Sequence, residues 1–206
     1  MKQRLVILGG GESGVGAAVL GKQKNYEVFV SDVGVIKSKY KKLLIQEGVL
    51  FEENTHTKER ILNASIVVKS PGIPDSNLLL KELRSKGVLV VSEIEFACWY
   101  TNARLIGITG SNGKTTTTYL TYHILKSAGL NVGIAGNIGK SFAFQVANFK
   151  HDFYVLELSS FQLDGIDKLK LDVSVILNIT PDHLDRYNNS LHDYIDSKFQ
   201  IIRNSD

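Results

Sequence analysis

A lysine and a hydroxyl stand side by side behind a glycine-rich turn, in Gly107-Ile108-Thr109-Gly110-Ser111-Asn112-Gly113-Lys114-Thr115-Thr116. That pairing suits phosphate chemistry. Backbone N–H groups of such a turn approach phosphate oxygens closely, and a helix beginning there adds a partial positive charge. In this frame Lys114 reaches the outer phosphates of a nucleotide and the Thr115 hydroxyl holds Mg²⁺. Gly110, Ser111, Asn112, Gly113 and Thr116 complete the cradle. The strict pattern places its first glycine five residues before Gly113. That position is Ile108, so the run is a shortened form, G-x-x-G-K-T.

A second glycine-rich run opens the chain. Gly9-Gly10-Gly11-Glu12-Ser13-Gly14 satisfies G-x-G-x-x-G, and Asp32 lies eighteen residues after Gly14. An acid there accepts from a ribose hydroxyl in dinucleotide-binding βαβ units. The alternative is a tight structural turn with Asp32 capping a loop. Two further polar groups end apolar runs. Glu157 closes Phe153-Tyr154-Val155-Leu156, and His183 follows Val173-Ser174-Val175-Ile176-Leu177-Asn178. An acid at the carboxyl edge of a sheet binds Mg²⁺ directly or through water. A lone strand-end Glu or His is more often just solvated, but their joint placement with Lys114 and Thr115 favours metal-site roles. Lys198 falls seven residues after Leu191, within the stripe Leu191, Tyr194, Ile195, Ile202, on a helix that Ser190 and Asp193 cap. A buried lysine is costly unless paired or chemically altered. Snorkelling of its ammonium to water is the alternative.

These residues need a scaffold of alternating strands and helices. Leu5–Leu8 reads as a buried strand, with a helix from about Val15 to Lys24 and a second strand from Glu27 to Asp32. Helices are expected over Lys39–Glu47, Asn77–Lys86 and Glu93–Tyr100. Strands are expected over Ala64–Ser70, Val88–Ser92, Phe153–Ser160 and Val173–Asn178. Arg104-Leu105-Ile106 leads as a strand into the Lys114 loop, and a helix follows from Tyr119. The α/β pattern restarts at that loop, which puts a boundary near residues 92–103. The expected fold is therefore a Rossmann-like unit over 1–92, followed by the N-terminal part of a truncated P-loop ATPase-type parallel-sheet domain over 93–206.

Composition narrows the function. The 206 residues carry a net charge of +3, too small to imply a nucleic-acid partner. The run Lys37-Ser38-Lys39-Tyr40-Lys41-Lys42 reads as a solvated helix face. The single cysteine, Cys98, excludes an internal disulfide and an all-cysteine metal site, and is expected to be a buried small hydrophobe. No apolar run is long enough to cross a bilayer, and no signal peptide opens the chain. A cytoplasmic, monomeric protein without membrane contact is the expectation.

Several motifs together resemble the Mur ligases, the ATP-dependent amide-forming enzymes of peptidoglycan precursor synthesis. They are Thr109–Thr115, Ala135-Gly136-Asn137-Ile138-Gly139, Glu157-Leu158-Ser159-Ser160-Phe161-Gln162-Leu163 and Asn178–Arg186. The last two point to the branch that adds D-glutamate to UDP-N-acetylmuramoyl-L-alanine. The resemblance implies that the first unit binds the uridine diphosphate of the substrate through Glu12, Ser13, Asp32 and Gly72. It implies that Asn137 contacts the muramoyl part and that Lys114 acts on the γ-phosphoryl group. It further implies that Thr115 and Glu157 hold one Mg²⁺, and that His183 helps hold a second beside a carbamylated Lys198. These ligases carry a third domain that binds the amino acid. The residues up to Asp206 match none of it, so the expectation is a piece of a longer enzyme, inactive by itself. A sister ligase, a non-catalytic nucleotide-binding module and an NAD-dependent dehydrogenase are the competing readings.

Overall fold

The computed structural model describes residues 2–203. Two parallel sheets organise it. The first contains β1 (Arg4–Leu8), β2 (Glu27–Ser31), β3 (Leu50–Glu52), β4 (Ile66–Lys69) and β5 (Leu89–Ser92), in the order β3-β2-β1-β4-β5. Its helices are α1 (Glu12–Gln23), α2 (Ser38–Gln46), α3 (Lys58–Ile61), α4 (Leu78–Ser85) and α5 (Glu93–Cys98). Leu5, Val6, Ile7 and Leu8 are all buried. A parallel strand covered on both faces requires such an unbroken apolar run. The chain winds from β1 outward through β2 and β3, then returns to lay β4 on the other side of β1. A crevice opens at such a reversal, beyond the carboxyl ends of the strands.

The second sheet contains β6 (Arg104–Thr109), β7 (Val132–Gly136), β8 (Phe153–Glu157) and β9 (Val173–Ile176), in the order β7-β8-β6-β9. Between and after them run α6 (Lys114–Ser127), α7 (Phe142–Asn148), α8 (Ser160–Leu163) and α9 (Leu191–Phe199). Register pairs Ile108 of β6 with Glu157 of β8, so the Lys114 loop and Glu157 leave the sheet side by side.

The two sheets share one apolar core. Leu5, Ile7 and Ala17 belong to the same buried cluster as Leu105, Ala135, Phe142 and Tyr154. Helix α1 packs directly on α7. At Gly16 a Cβ would come within 1.9 Å of the Ser141 Oγ, so only glycine allows this approach. Two buried acids of α5 complete the joint. Glu93 accepts from the Ser141 hydroxyl and the Ala143 amide, each at 2.6 Å. Glu95 accepts from the amides of Asp167, Lys168 and Leu169 and from the Trp99 indole.

Some expectations need correction. The first helix starts at Glu12, not Val15, because Gly11 is its N-cap and its carbonyl accepts from Val15. Glu12 and Ser13 therefore sit in the first helical turn. The strand expected to run to Ser160 stops at Glu157, because Ser159 forms a capping box with Gln162 and opens α8. The short β3 and α3 carry too few residues for periodicity to show. Cys98 is only half-buried; its thiol donates to the Glu95 carbonyl, and burial followed by the Glu95 charge pushes its pKa up to about 12. Lys41 and Lys39 of the basic run are engaged, with Glu53 and over the Tyr40 ring.

Candidate active site

The loop between β6 and α6 is built for close approach. Gly113 caps α6 in the left-handed region at φ 82°. Gly110 stands at φ 153°, where a Cβ would lie 3.1 Å from the Leu177 Cβ. The loop is braced from β9's end. The Ser111 amide donates to the Asn178 carbonyl at 2.9 Å, and the Asn112 amide to the Asn178 side chain at 2.9 Å. The Ser111 hydroxyl bonds the Thr180 carbonyl and lies 3.1 Å from the Tyr194 hydroxyl.

Two ammonium groups converge on this loop. Lys114 Nζ donates to the carbonyls of Gly110 and Ser111, each at 2.8 Å. Lys198 Nζ donates to the same Gly110 carbonyl at 3.0 Å and lies over the Tyr194 ring. Lys198 is 1 % exposed, so it does not snorkel. Burial first, and the neighbouring Lys114 charge second, bring its pKa down to about 8, against the opposing pull of Asp182 and Asp164. The stripe around it is corrected: Tyr194, Ser197, Lys198 and Ile201 form the buried face. Leu191, the first residue of the helix, is exposed, and so is Ile202, because the helix ends at Phe199 and a 3-10 turn, Gln200–Ile202, rotates the chain. Thr115 and Thr116, in the first turn of α6, are open to solvent.

Glu157 is buried beside this loop. One carboxylate oxygen accepts from the Asn137 side chain at 3.0 Å; the other is buried with no hydrogen-bond partner. Gly136, at φ 101°, makes the pairing possible, since a Cβ there would sit 2.1 Å from the Glu157 carbonyl. An unpaired buried carboxylate oxygen is expensive, and it is the donor type that a hard divalent cation takes. Thr115 and Glu157 thus fit Mg²⁺ in chemistry. His183 does not stand with them. It is exposed, adopts φ 49°, and its ring lies 5.5 Å from that of Phe161. No group of three or more His, Cys, Asp or Glu side chains among the described residues is arranged to hold a metal.

The first glycine loop and the crevice face the same side. Glu12, Ser13, Asn137 and Gln162 line a small cleft of about 170 Å³ between the two sheets. Asp32 and Gly72 line a neighbouring one of about 410 Å³, with Gly9, Gly11, His56 and Asn77. Both Asp32 oxygens accept backbone amides, from Gly10 at 2.6 Å and Gly34 at 2.8 Å. The loop-capping role is therefore present, and each oxygen keeps a second lone pair. Arg186 joins the two halves, donating to the Pro71 and Gly72 carbonyls across Phe161. No role follows from sequence for Arg186, Gln162, Glu93, Glu95 or His56, although Gln162 and Arg186 stand inside the motifs that carry the family resemblance and Gln162 also has capping-box spacing from Ser159.

Family comparisons decide between these readings. Residues 4–78 match the MurD N-terminal domain, and residues 108–206 match the Mur ligase middle domain. The chain belongs to the Mur ligase family. It is 60% identical over 202 residues to a UDP-N-acetylmuramoylalanine–D-glutamate ligase of Bacteroides fragilis, which covers 98% of this chain and 46% of that protein. It is 55% identical to the same-named protein of Christiangramia forsetii, over 99% of this chain and 46% of the relative. The chain thus spans about half the length of the curated relatives it matches. Among solved structures it resembles a UDP-N-acetylmuramate-alanine ligase from Thermotoga maritima, with TM-score 0.62 and 22% identity over 98% of this chain and 47% of that one. It also resembles a UDP-N-acetylmuramate:L-alanyl-gamma-D-glutamyl-meso-diaminopimelate ligase from Neisseria meningitides, with TM-score 0.68 and 17% identity over 100% of this chain and 69% of that one. These likenesses show the fold: Mur-type parallel α/β. A dehydrogenase is set aside by the second loop and the family match. No helix among the described residues is long and apolar enough to cross a membrane.

Proposed function

We propose that this chain carries the nucleotide-sugar and ATP sites of a ligase that joins D-glutamate to UDP-N-acetylmuramoyl-L-alanine. The observation that carries the reading is the meeting of Lys114, Lys198 and Glu157 at one sheet edge. That arrangement suits phosphoryl transfer to a carboxylate. The γ-phosphoryl group of ATP passes to the alanyl carboxylate; a P–O bond forms to the acceptor and the bond to ADP breaks. The amine of D-glutamate then attacks the acyl phosphate, loses a proton, and expels phosphate from a tetrahedral intermediate. Lys114 and the loop amides neutralise the oxygens in transfer. Thr115 and Glu157 would hold Mg²⁺, which supplies further charge neutralisation when bound. Lys198, as a carbamate, would serve a second such ion; His183, exposed against Phe161 and apart from Thr115 and Glu157, stands outside that role.

Lys198 fits carbamylation. An amine whose pKa lies near 8 keeps a neutral fraction at neutral pH, and that fraction can add to CO₂ with loss of a proton. The product is an anion beside Lys114 instead of a second cation. In the first unit, Glu12 and Ser13 sit where α1's N-terminus meets the diphosphate, Asp32 and Gly72 flank the nucleoside, and Asn137 reaches the muramoyl side of the crevice. A monomer without nucleic-acid partners accords with this reading. The test is phosphate release from ATP by the protein at its full encoded length, with the UDP-sugar and a panel of amino acids. Turnover that requires D-glutamate supports the assignment. Turnover with another amino acid instead makes it a sister ligase, and none with any makes it a binding module.

A further inference from the structure

The 410 Å³ cleft contains one titratable side chain that the roles above leave unused, His56. Its environment fixes its tautomer. The Ser31 hydroxyl lies 2.7 Å from a Glu52 carboxylate oxygen and 2.7 Å from the His56 Nδ1. A carboxylate and a backbone carbonyl can only accept, so the single Ser31 proton goes to Glu52 or to the Thr55 carbonyl 3.3 Å away, and not to the ring. The Ser31 oxygen then accepts, and Nδ1 carries the imidazole proton. The neutral ring therefore presents an unprotonated Nε2. Burial, the largest effect, depresses the His56 pKa and keeps that form at neutral pH, against the opposing charges of Asp32 and Glu52. Glu52 is itself a firm acceptor: burial acts to raise its pKa, but the Ser31 hydroxyl, Thr57 and the Arg60 guanidinium together outweigh it.

We propose that His56 reads the base: its Nε2 lone pair accepts the N3–H of a uracil lodged between Asp32 and Gly72. This rests on the reading of the cleft as a uridine nucleotide site. Uracil carries a donor at N3, whereas cytosine carries a lone pair there, so cytosine would set acceptor against acceptor. An unmade bond of this kind in a partly desolvated cleft discriminates strongly. Ser31 is the positioning residue, because it holds the proton on the far nitrogen.

Calorimetric titration with UDP and with CDP tests this on the 206-residue chain, on His56→Phe and on His56→Gln, with circular dichroism to verify folding. The expected result is a preference for UDP on the order of tenfold or more. That preference should be lost in His56→Phe and retained in part in His56→Gln, whose amide oxygen can replace the acceptor. Ser31→Ala should erode it by freeing the tautomer. An undiminished preference in folded His56→Phe overturns the proposal. Equal weakening of UDP and CDP also overturns it, by placing His56 on the sugar. Equal binding of both nucleotides by the unsubstituted chain refutes base reading while leaving the nucleotide site intact. Binding of neither removes the underlying reading and this one with it.

Discussion

Lys114 and Lys198 compete for one carbonyl oxygen, and the competition is informative about each. Two ammonium groups on one acceptor repel each other, and an anion placed between them would relieve that repulsion. In the protein at its full encoded length, Lys198→Ala should abolish the proposed ligation, and millimolar short carboxylic acids should restore part of it by supplying the missing anion in the vacated space. A steady-state phosphate-release assay reads both effects, and full activity in the variant would refute the carbamate. Lys114→Ala removes charge from a half-buried loop position, so ATP affinity should fall at least tenfold while circular dichroism stays unchanged. Calorimetry with ATP decides this. Lys114 was legible from spacing alone, since its chemistry is written in neighbouring residues. The inward placement of Lys198 was only partly legible from helical period, since Leu191 and Ile202 of that stripe are exposed, and its acceptor was not legible at all: Gly110 lies 88 residues away, and only the fold brings the two together.

At the level of elements, α5 does more than link two sheets. Its buried Glu93 has its pKa raised from 4.5 to about 7, chiefly by burial, against the hydrogen bonds from Ser141 and Ala143. Between those two values the folded protein keeps a proton that the unfolded chain has released. Stability should therefore fall as pH rises through that window, by about 3 kcal/mol in total, and level off above it. Glu93→Gln keeps an acceptor and cannot ionise, so its loss of melting temperature between pH 5 and pH 8 should be smaller than that of the parent. Equal losses would exclude Glu93 as the source. The strands flanking α5 were readable because buried parallel strands are continuous apolar runs. The acids of α5 were not, because an acid at a helix start looks like ordinary capping until its partners, 48 to 74 residues on, fold against it.

Across the whole molecule, one apolar cluster spans both sheets, so the two are expected to unfold together. Glu95→Ala would strip one carboxylate from three amides and an indole, in a site that is fully buried. A loss of about 3 kcal/mol is expected, with the denaturation curve splitting into two transitions as the sheets uncouple. A single unshifted transition would show that the joint is held by apolar packing alone. Gly16 carries a different consequence. Nucleotide-binding βαβ units look interchangeable, and transplanting one onto a foreign ATPase is an obvious engineering move. Here the outer face of the first helix is shaved to bare backbone where Ser141 presses on it. A donor unit with alanine, or anything larger, at that position would arrive with its glycine loop intact and still be held off the neighbouring helix, the two glycine loops out of alignment by the width of a methyl group.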